Sequence, residues 1–234
     1  VIIIGGGVVG SSIARELSKY KLNTCVLEKE LDVCCETSGR NSGVLHAGFN
    51  NKAGSLMAKF CVEGNENFDE IAKELDIPFK RTGKLVVGFN EEDKEKLIKM
   101  KEQGEANGVK GLEIINKDKI RKLSPYVEGN FALYSPQTGI LNPFIYTIAM
   151  AENAVSNGVK YFLDNEVLDI KKVLERESSI FKIKTNKNVY RSKWLINSAG
   201  LNSDKIGKMM GIEDYTIYPC RGEYFILDQK LGKY

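Results

Sequence analysis

The chain has 234 residues, of which 42% are hydrophobic and 28% are charged, and its formal net charge is +3. This length allows one large or two modest domains with a buried core. The small net charge, with basic residues interspersed among acids, does not indicate a nucleic-acid-binding protein, and no apolar run approaches the roughly 18 to 20 residues that a membrane span needs.

Cysteine and histidine usage narrows the class further. The five cysteines form no C-x-x-C pair and no signal peptide is visible, which is typical of reduced thiols in a cytoplasmic protein. Peripheral contact with the inner membrane stays open. The single histidine, His46, excludes a histidine-rich metal site, and we predict no metal. Because the chain begins with Val inside a strand pattern and its last stretch, 224–234, has no closing element, we expect it to be a fragment.

The first element is an apolar strand over 1–4 that enters a turn with Gly5, Gly7 and Gly10 in G-x-G-x-x-G spacing. A helix pattern follows, and a second apolar strand ends at Glu28, 18 residues after Gly10. Glycines permit the tight turn and the close approach of a pyrophosphate, the helix terminus offers N–H groups, and the acid can accept hydrogen bonds from a ribose. The order of these parts predicts a dinucleotide-binding βαβ unit; the alternative is a glycine-rich turn in an unrelated α/β protein.

The remaining elements alternate between helix and strand patterns. An Asn-Pro pair at Asn142 is typical of a helix start, and Gly158 of a helix end. In chain order we predict a glycine-containing loop over 36–49, a helix over 54–75, a strand over 84–89, a charged helix over 91–107, a helix over 143–157, strands over 160–173, 179–185 and 188–192, a strand over 194–200, a helix over 203–210 and a strand over 223–227.

A second strand-to-glycine turn distinguishes between NAD and FAD. The strand over 194–200 ends in Ala199 and Gly200, and Asp204 follows four residues later. A flavin dinucleotide is long and needs more backbone approach than one glycine turn provides. A plain NAD domain would show further βαβ crossovers, whereas this chain leaves the pattern after Glu28 and returns to it near 194. The sequence therefore favours FAD over NAD.

Several segments together resemble the FAD-dependent oxidoreductases of the D-amino-acid-oxidase superfamily. The resemblance is closest to the bacterial branch that holds glycerol-3-phosphate dehydrogenases and L-2-hydroxyglutarate oxidases. The segments that carry it are spread over nearly the whole chain and are jointly specific: 5–10, 26–29, 37–48, 81–87, 134–140, 196–201 and 219–224.

This resemblance implies a role in FAD binding for the residues that match. Glu28 and Lys29 would hold the adenosine end, and Val167 would offer its backbone to the adenine. The pyrophosphate and the flavin ring would be lined by Thr37, Ser38, Arg40, Asn41 and Ser42. The pyrophosphate and the ribityl chain would also be contacted by Ala199, Gly200 and Asp204. The full predicted cofactor-binding set is Gly5, Gly7, Val8, Val9, Gly10, Glu28, Lys29, Thr37, Ser38, Arg40, Asn41, Ser42, Val167, Ala199, Gly200 and Asp204.

The implied reaction is removal of a hydride from a carbon that bears a hydroxyl or an amine, with delivery to flavin N5. Such an oxidation needs a proton acceptor and, for a small anionic substrate, a cationic anchor. His46, which the resemblance places near the isoalloxazine, has a side chain whose ordinary pKa lies near neutrality and is the candidate acceptor. Arg40 and Arg221 are the candidate anchors, because a guanidinium can bind carboxylate or phosphate with two hydrogen bonds. The alternatives are a loop histidine that shapes the pocket wall, and a base from a missing C-terminal part.

These observations predict an α/β fold with a Rossmann-like FAD-binding domain, a small antiparallel meander and part of a mixed-sheet substrate domain. We assign 1–80 and 140–216 to the FAD-binding domain, and 81–139 and 217–234 to the partial substrate domain. The predicted function is that of an FAD-dependent dehydrogenase or oxidase. The first predicted substrate is sn-glycerol 3-phosphate, which would be oxidised to dihydroxyacetone phosphate. L-2-hydroxyglutarate, an amine or an amino acid is the alternative substrate, and a non-catalytic FAD-binding fragment is the alternative class. The electron acceptor and the oligomeric state stay open.

Overall fold

The computed structural model describes residues 1–175, 178–223, 225 and 228. They form two compact units, one over 1–42 and the described part of 142–221, and the other over 43–141 and the described part of 222–234. We call the first the glycine-turn unit and the second the histidine unit, after Gly5 and His46. The range 1–80 predicted for the FAD-binding domain contains residues of both units, and the functional division into cofactor and substrate domains stays a prediction.

The helices and strands follow one another in a mixed α/β order. The helices are α1 (Val8–Leu17), α2 (Leu56–Glu66), α3 (Phe68–Glu74), α4 (Glu91–Ala106), α5 (Lys117–Leu123), α6 (Pro143–Ser156) and α7 (Ser203–Lys208), with 3₁₀ turns at Thr37–Gly39 and Gly200–Asn202. The strands are β1 (Ile2–Ile4), β2 (Cys25–Leu27), β3 (Val44–Leu45), β4 (Phe79–Lys80), β5 (Lys84–Gly88), β6 (Glu113–Asn116), β7 (Phe131–Ser135), β8 (Gly139–Leu141), β9 (Lys160–Phe162), β10 (Val167–Glu175), β11 (Ser178–Thr185), β12 (Val189–Ser192) and β13 (Leu195–Asn197).

The glycine-turn unit is built on a parallel sheet in the order β13-β1-β2-β9. Strand β1 is buried on both faces, as its run of isoleucines predicts for a parallel sheet. On one face Ile3 packs with Ala14 of α1 and Ala154 of α6. On the other face Ile2 and Ile4 pack against the β10-β11-β12 meander and α7. This arrangement confirms the predicted α/β class and the antiparallel meander.

The predicted strand over 160–173 is two strands in different sheets. Strand β9 continues the parallel sheet beside β2, whereas β10 belongs to the meander. Between them Asp164 adopts a left-handed conformation with φ +52°, and its N–H donates to the carbonyl of Glu30. The N–H of Asn165 donates to the carbonyl of Glu28 at 2.8 Å. These bonds turn the chain from one sheet to the other, and hydrophobic periodicity does not register such a turn.

The predicted helix over 54–75 forms as α2 and α3, separated at Asn67. Asn67 has φ −84° and ψ −6°, so its ψ is less negative than in an α-helix and the backbone opens there. The other predicted helices form with end positions close to those expected. At the start of α6 the Asn142 side chain accepts hydrogen bonds from the N–H groups of Phe144 and Ile145, which is the predicted N-cap.

The histidine unit holds two three-stranded sheets, in the orders β5-β7-β6 and β3-β8-β4. Every strand pair described in this unit is antiparallel. The predicted mixed sheet would need a parallel strand, and the described residues contain none in either of these sheets. Its core packs Ala47 and Phe49, which follow His46, against Leu97 of α4 and Leu133 of β7. The predicted strand over 223–227 lies partly outside the described residues; Glu223 and Phe225, which are described, lie in no strand.

Across the described ranges, none of the helices combines the length and the hydropathy that a membrane span requires.

Candidate functional site

The glycine turn between β1 and α1 accepts no side chain at two of its three motif positions. Gly5 has φ +103°, and a Cβ there would lie 2.4 Å from the Ser198 carbonyl oxygen. A Cβ on Gly10 would lie 1.9 Å from the Gly5 carbonyl oxygen. Real Cβ contacts are never this short, so glycine is required for α1 to pack on the turn and for the turn to pack on β13.

The N-terminus of α1 offers hydrogen-bond donors. Ser38 Oγ accepts from the N–H of Val8 at 2.9 Å, although Ser38 lies 30 residues further along the chain. Within the described residues, no protein acceptor takes the N–H groups of Val9 and Gly10. The first N–H groups of a helix lack intrahelical partners and carry a partial positive charge. This end of α1 is therefore suited to a phosphate group.

Glu28 braces the glycine turn from the end of β2. One carboxylate oxygen, Oε2, accepts from the N–H of Gly6 at 2.5 Å, and Oε1 accepts from the N–H of Glu30 at 2.9 Å. The residue is only 8% exposed. The sequence predicted that Glu28 accepts hydrogen bonds from a ribose. A carboxylate has about four acceptor positions, so its two backbone bonds leave room for that role, which stays a prediction.

The loop after β2 carries a 3₁₀ turn at Thr37–Gly39 that presents Ser38 to α1. The Asn41 amide holds this turn by donating to the Ser38 carbonyl at 2.7 Å and to the Thr37 carbonyl at 3.2 Å. At the start of the loop, Lys29 Nζ lies 2.5 Å from Glu36 Oε1. The hydrogen bond to Glu36 raises the pKa of Lys29, so this ammonium stays charged across the physiological pH range.

The second strand-to-glycine turn meets the first one. Ser198, after β13, donates its hydroxyl to the Ile4 carbonyl at 2.8 Å. Gly200, with φ +53°, begins the second 3₁₀ turn. Asp204 is buried, and its carboxylate accepts from the N–H groups of Lys205 at 2.8 Å and Ile217 at 3.3 Å. The structure thus uses Asp204 to hold the segment after α7, and its predicted contact with a ribityl chain stays a prediction.

These elements line an open cavity of about 810 Å³ in the glycine-turn unit, a volume in the usual range for small-molecule sites. Most of the predicted cofactor-binding residues line it: Gly5, Gly7, Val8, Val9, Glu28, Lys29, Thr37, Ser38, Asn41, Val167, Ala199 and Gly200. The predicted residues Gly10, Arg40, Ser42 and Asp204 are not among its lining residues.

The cavity also has polar and charged lining residues that sequence reasoning did not assign: Glu36, Asn165, Glu166, Asn197, Ser198, Asn202, Ser203 and Lys205. Asn197 and Ser198 belong to the segment 196–201 that carried the family resemblance, so a signal for them was present. Asn165 gave no such signal. Its carbonyl oxygen Oδ1 accepts from Thr185 Oγ1 at 3.2 Å and from the Tyr190 hydroxyl at 2.9 Å, and these partners are fixed only by the meander.

The three predicted catalytic residues occupy different places. Arg40 is exposed after the first 3₁₀ turn, and Arg221 is exposed at the end of the glycine-turn unit. His46 lies in the histidine unit directly after β3. Partial burial of the imidazole lowers the pKa of His46, and the charge of Lys84 lowers it further. Their catalytic roles stay predictions.

Comparisons with known proteins agree with this geometry. A family profile described as FAD dependent oxidoreductase matches residues 1–233. The chain is 47% identical to a glycerol 3-phosphate dehydrogenase of Caloramator mitchellensis, over 99% of this chain and 48% of that protein. It is 37% identical to a mitochondrial L-2-hydroxyglutarate dehydrogenase of Nematostella vectensis, over 97% of this chain and 53% of that protein. The chain therefore spans about half the length of the curated relatives it matches.

A solved structure gives the same result at the level of the fold. The dithionite-reduced L-α-glycerophosphate oxidase of Mycoplasma pneumoniae with FAD bound superposes with a TM-score of 0.81 and 29% identity. The match covers 89% of this chain and 56% of that one. The resemblance predicted from the sequence segments, and FAD as the cofactor of the family, are confirmed. The chain belongs to the family of FAD-dependent oxidoreductases.

Proposed function

We propose that this chain provides the FAD-binding portion of an enzyme that oxidises a small anionic hydroxy compound, with sn-glycerol 3-phosphate as the substrate and dihydroxyacetone phosphate as the product. The proposed substrate rests on the 47% identity to a glycerol 3-phosphate dehydrogenase over 99% of the chain. The L-2-hydroxyglutarate dehydrogenase of Nematostella vectensis reaches 37%.

The residues of the glycine-turn unit fit a dinucleotide. Gly5 and Gly7 line the cavity, and the N–H groups of Val9 and Gly10 have no acceptor among the described residues. The N–H of Val9, which lines the cavity, would bind the pyrophosphate, and Glu28 and Lys29 would bind the adenosine end. Ser38 can still donate its hydroxyl proton, because its oxygen serves as acceptor for Val8. When bound, FAD supplies the acceptor for the hydride that leaves the substrate carbon.

The chain's own part in the chemistry is to orient the substrate and to accept a proton. In this proposal His46 accepts the proton of the substrate hydroxyl. The lowered pKa of His46 supports this role, because the imidazole is then neutral at pH 7 and free to take a proton. Arg40 and Arg221 would bind the phosphate of the substrate through their guanidinium groups.

L-2-hydroxyglutarate is the second candidate. A guanidinium binds carboxylate as readily as phosphate, so the proposed anchors do not separate the two substrates. Besides the Nematostella protein, a bacterial L-2-hydroxyglutarate dehydrogenase from Indibacter alkaliphilus is 38% identical over 96% of this chain and 56% of that protein.

The test is an anaerobic flavin-bleaching measurement on the complete gene product reconstituted with FAD. Glycerol 3-phosphate and L-2-hydroxyglutarate are added separately, and the visible flavin absorption is followed. We expect rapid bleaching by glycerol 3-phosphate, and dithionite serves as the control that the bound flavin is reducible. Rapid bleaching by L-2-hydroxyglutarate alone would replace the substrate with the second candidate. A reducible flavin that neither compound bleaches would refute both, and a protein that binds no flavin would refute the cofactor as well.

The proposed anchors are tested in the same assay. Arg40→Gln and Arg221→Gln should raise the substrate concentration needed for half-maximal bleaching at least tenfold, because each removes a charged hydrogen-bonding partner of the phosphate. Arg121, in α5 of the histidine unit, provides the control, since Arg121→Gln removes an arginine to which we assign no anchoring role. An unchanged substrate dependence in either anchor variant would remove that arginine from the proposal.

A further inference from the structure

The backbone carbonyl of His46 is held by the side chain of Asn65, a residue of α2. Asn65 Nδ2 donates to the His46 carbonyl at 2.9 Å and to the Gln137 carbonyl at 3.0 Å. Cys61, one turn earlier in α2, places its Sγ 3.5 Å from the same His46 carbonyl. Asn65 is only 4% exposed, so both N–H groups of its amide are used inside the protein.

Arg81 fixes the orientation of that amide. Its Nη1 donates to Asn65 Oδ1 at 2.8 Å and also to the Gln137 carbonyl, and its Nη2 donates to the Asn65 carbonyl at 2.9 Å. Nη2 also forms an ion pair with Asp69 of α3 at 2.8 Å. A guanidinium that is bound along both prongs cannot rotate away, and Asn65 cannot flip its amide without losing these bonds.

The clamp formed by Asn65 and Arg81 acts on a segment that is already fixed on both sides. Before His46, strand β3 pairs with β8, which follows the turn containing Gln137. After His46, Ala47 and Phe49 are buried in the core of the histidine unit. The hydrogen bond from Asn65 to the His46 carbonyl therefore fixes the peptide between these two held segments. It thereby sets the direction in which the imidazole leaves the backbone.

We propose that Asn65 and Arg81 are positioning residues that hold His46 in place. This inference rests on the proposed function, which makes His46 the proton acceptor, and it assigns a role to Arg81, whose segment carried the family resemblance without one. Neither residue is proposed to touch substrate or cofactor. Their effect on the reaction is exerted through His46.

Asn65→Asp is the sharpest variant. It keeps the shape of the side chain and the oxygen that accepts from Arg81, but it turns a carboxylate oxygen towards the His46 and Gln137 carbonyls. The matched control is Asn107→Asp. Asn107 donates in the same way to the carbonyls of Gly48 at 3.0 Å and Asn51 at 2.8 Å, just beyond the clamped segment. Arg81→Lys is the second variant, in case Asn65→Asp does not fold. Lysine keeps the positive charge but lacks the forked guanidinium that bonds to both Asn65 and Gln137.

Two readouts are measured on the complete gene product with FAD bound. The first is the NMR titration of the His46 imidazole, identified by its loss in His46→Gln. Release of the clamp should raise the pKa of His46 towards its ordinary value, because the imidazole becomes better solvated. This readout is taken from Arg81→Lys, which keeps the charge, since the new carboxylate of Asn65→Asp would raise the pKa by itself. The second readout is the rate of anaerobic flavin bleaching, which should fall at least tenfold in Asn65→Asp and Arg81→Lys and stay unchanged in Asn107→Asp.

A double variant separates action through His46 from other effects. In the His46→Gln background, Asn65→Asp should slow bleaching no further, because a positioning residue has nothing left to position. An additive loss in this background would overturn the inference while the proposed function stands, and so would an unchanged His46 titration in Arg81→Lys. A changed titration without any change in bleaching, or without any substrate that bleaches, would support the clamp and refute the proposed role of His46.

Discussion

The two units of this protein build their candidate functional residues in different ways. In the glycine-turn unit the backbone of Gly5 and Gly7 lines the cavity, and glycine at positions 5 and 10 lets the turn pack closely on β13 and α1. In the histidine unit the candidate residue is a side chain, and Asn65 and Arg81 hold the segment that carries it. The backbone site depends on close packing that only glycine permits, whereas the clamped side chain depends on hydrogen bonds from Asn65 and Arg81. The two units should therefore respond differently to substitution.

The largest contrast is expected between two glycines. Gly10→Ala would place a Cβ 1.9 Å from the Gly5 carbonyl, so we expect a loss of about 3 kcal/mol or more in the free energy of unfolding and no FAD binding. Gly64, inside α2, has no heavy atom within 4 Å of its Cβ position, and Gly64→Ala should stabilise by about 0.5 to 1 kcal/mol. Urea unfolding and flavin content measure both. A tolerated Gly10→Ala would contradict the backbone character of the site.

The next effect concerns the acid that braces the turn. Glu28→Gln replaces one acceptor oxygen by an amide donor that would face the N–H of Gly6 or Glu30. We expect a loss of about 1.5 to 3 kcal/mol in the free energy of unfolding, together with weaker FAD binding. Glu66→Gln, which removes only an exposed ion pair with Lys110, should change stability by less than about 0.5 kcal/mol. Equal effects of the two variants would mean that Glu28 is not structural.

A smaller effect distinguishes two serines that bond to helix N-termini. Ser38→Ala removes the acceptor of the Val8 N–H in the glycine-turn unit, and Ser55→Ala removes the acceptor of the Ala58 N–H at α2 in the histidine unit. Each should lower the free energy of unfolding by about 1 kcal/mol. Only Ser38→Ala should also weaken FAD binding, as followed by flavin fluorescence. Weakened binding in Ser55→Ala would show that the two units do not respond separately.

The smallest effect is the pH dependence that His46 contributes. Because its pKa is lowered in the folded state, the unfolded chain binds more protons near and below the ordinary histidine pKa, and stability falls as pH decreases through that range. His46→Gln should remove this part of the pH dependence, as measured by thermal unfolding midpoints between about pH 5 and pH 8. The imidazole is only partly buried, so the difference should be small. A wild-type protein that gains stability from His46 at low pH would reverse the sign of the proposed pKa shift.

Much of the glycine-turn unit could be predicted because its signals are local. The spacing of Gly5, Gly7 and Gly10, the apolar strand before them and the acid at Glu28 lie within one short stretch. Two hydrogen bonds could not be predicted, from the N–H of Val8 to Ser38 and from the N–H of Gly6 to Glu28, because they join residues 30 and 22 positions apart. In the histidine unit the candidate residue was visible as the single histidine, but Asn65 and Arg81 gave no local sign of their contact with it.

The sequence by itself determined the α/β class, the glycine turn and the meander, because hydrophobic periodicity and the conformational demands on glycine act over a few residues. The family and its cofactor were predicted from the resemblance of several segments and confirmed by the family match. Only the tertiary structure decided that 160–173 divides between two sheets, that Asp204 accepts from Ile217, and that Asn65 holds the His46 carbonyl. Those contacts depend on which distant segments pack together. Polar side chains find their partners only after the core has fixed where each segment lies.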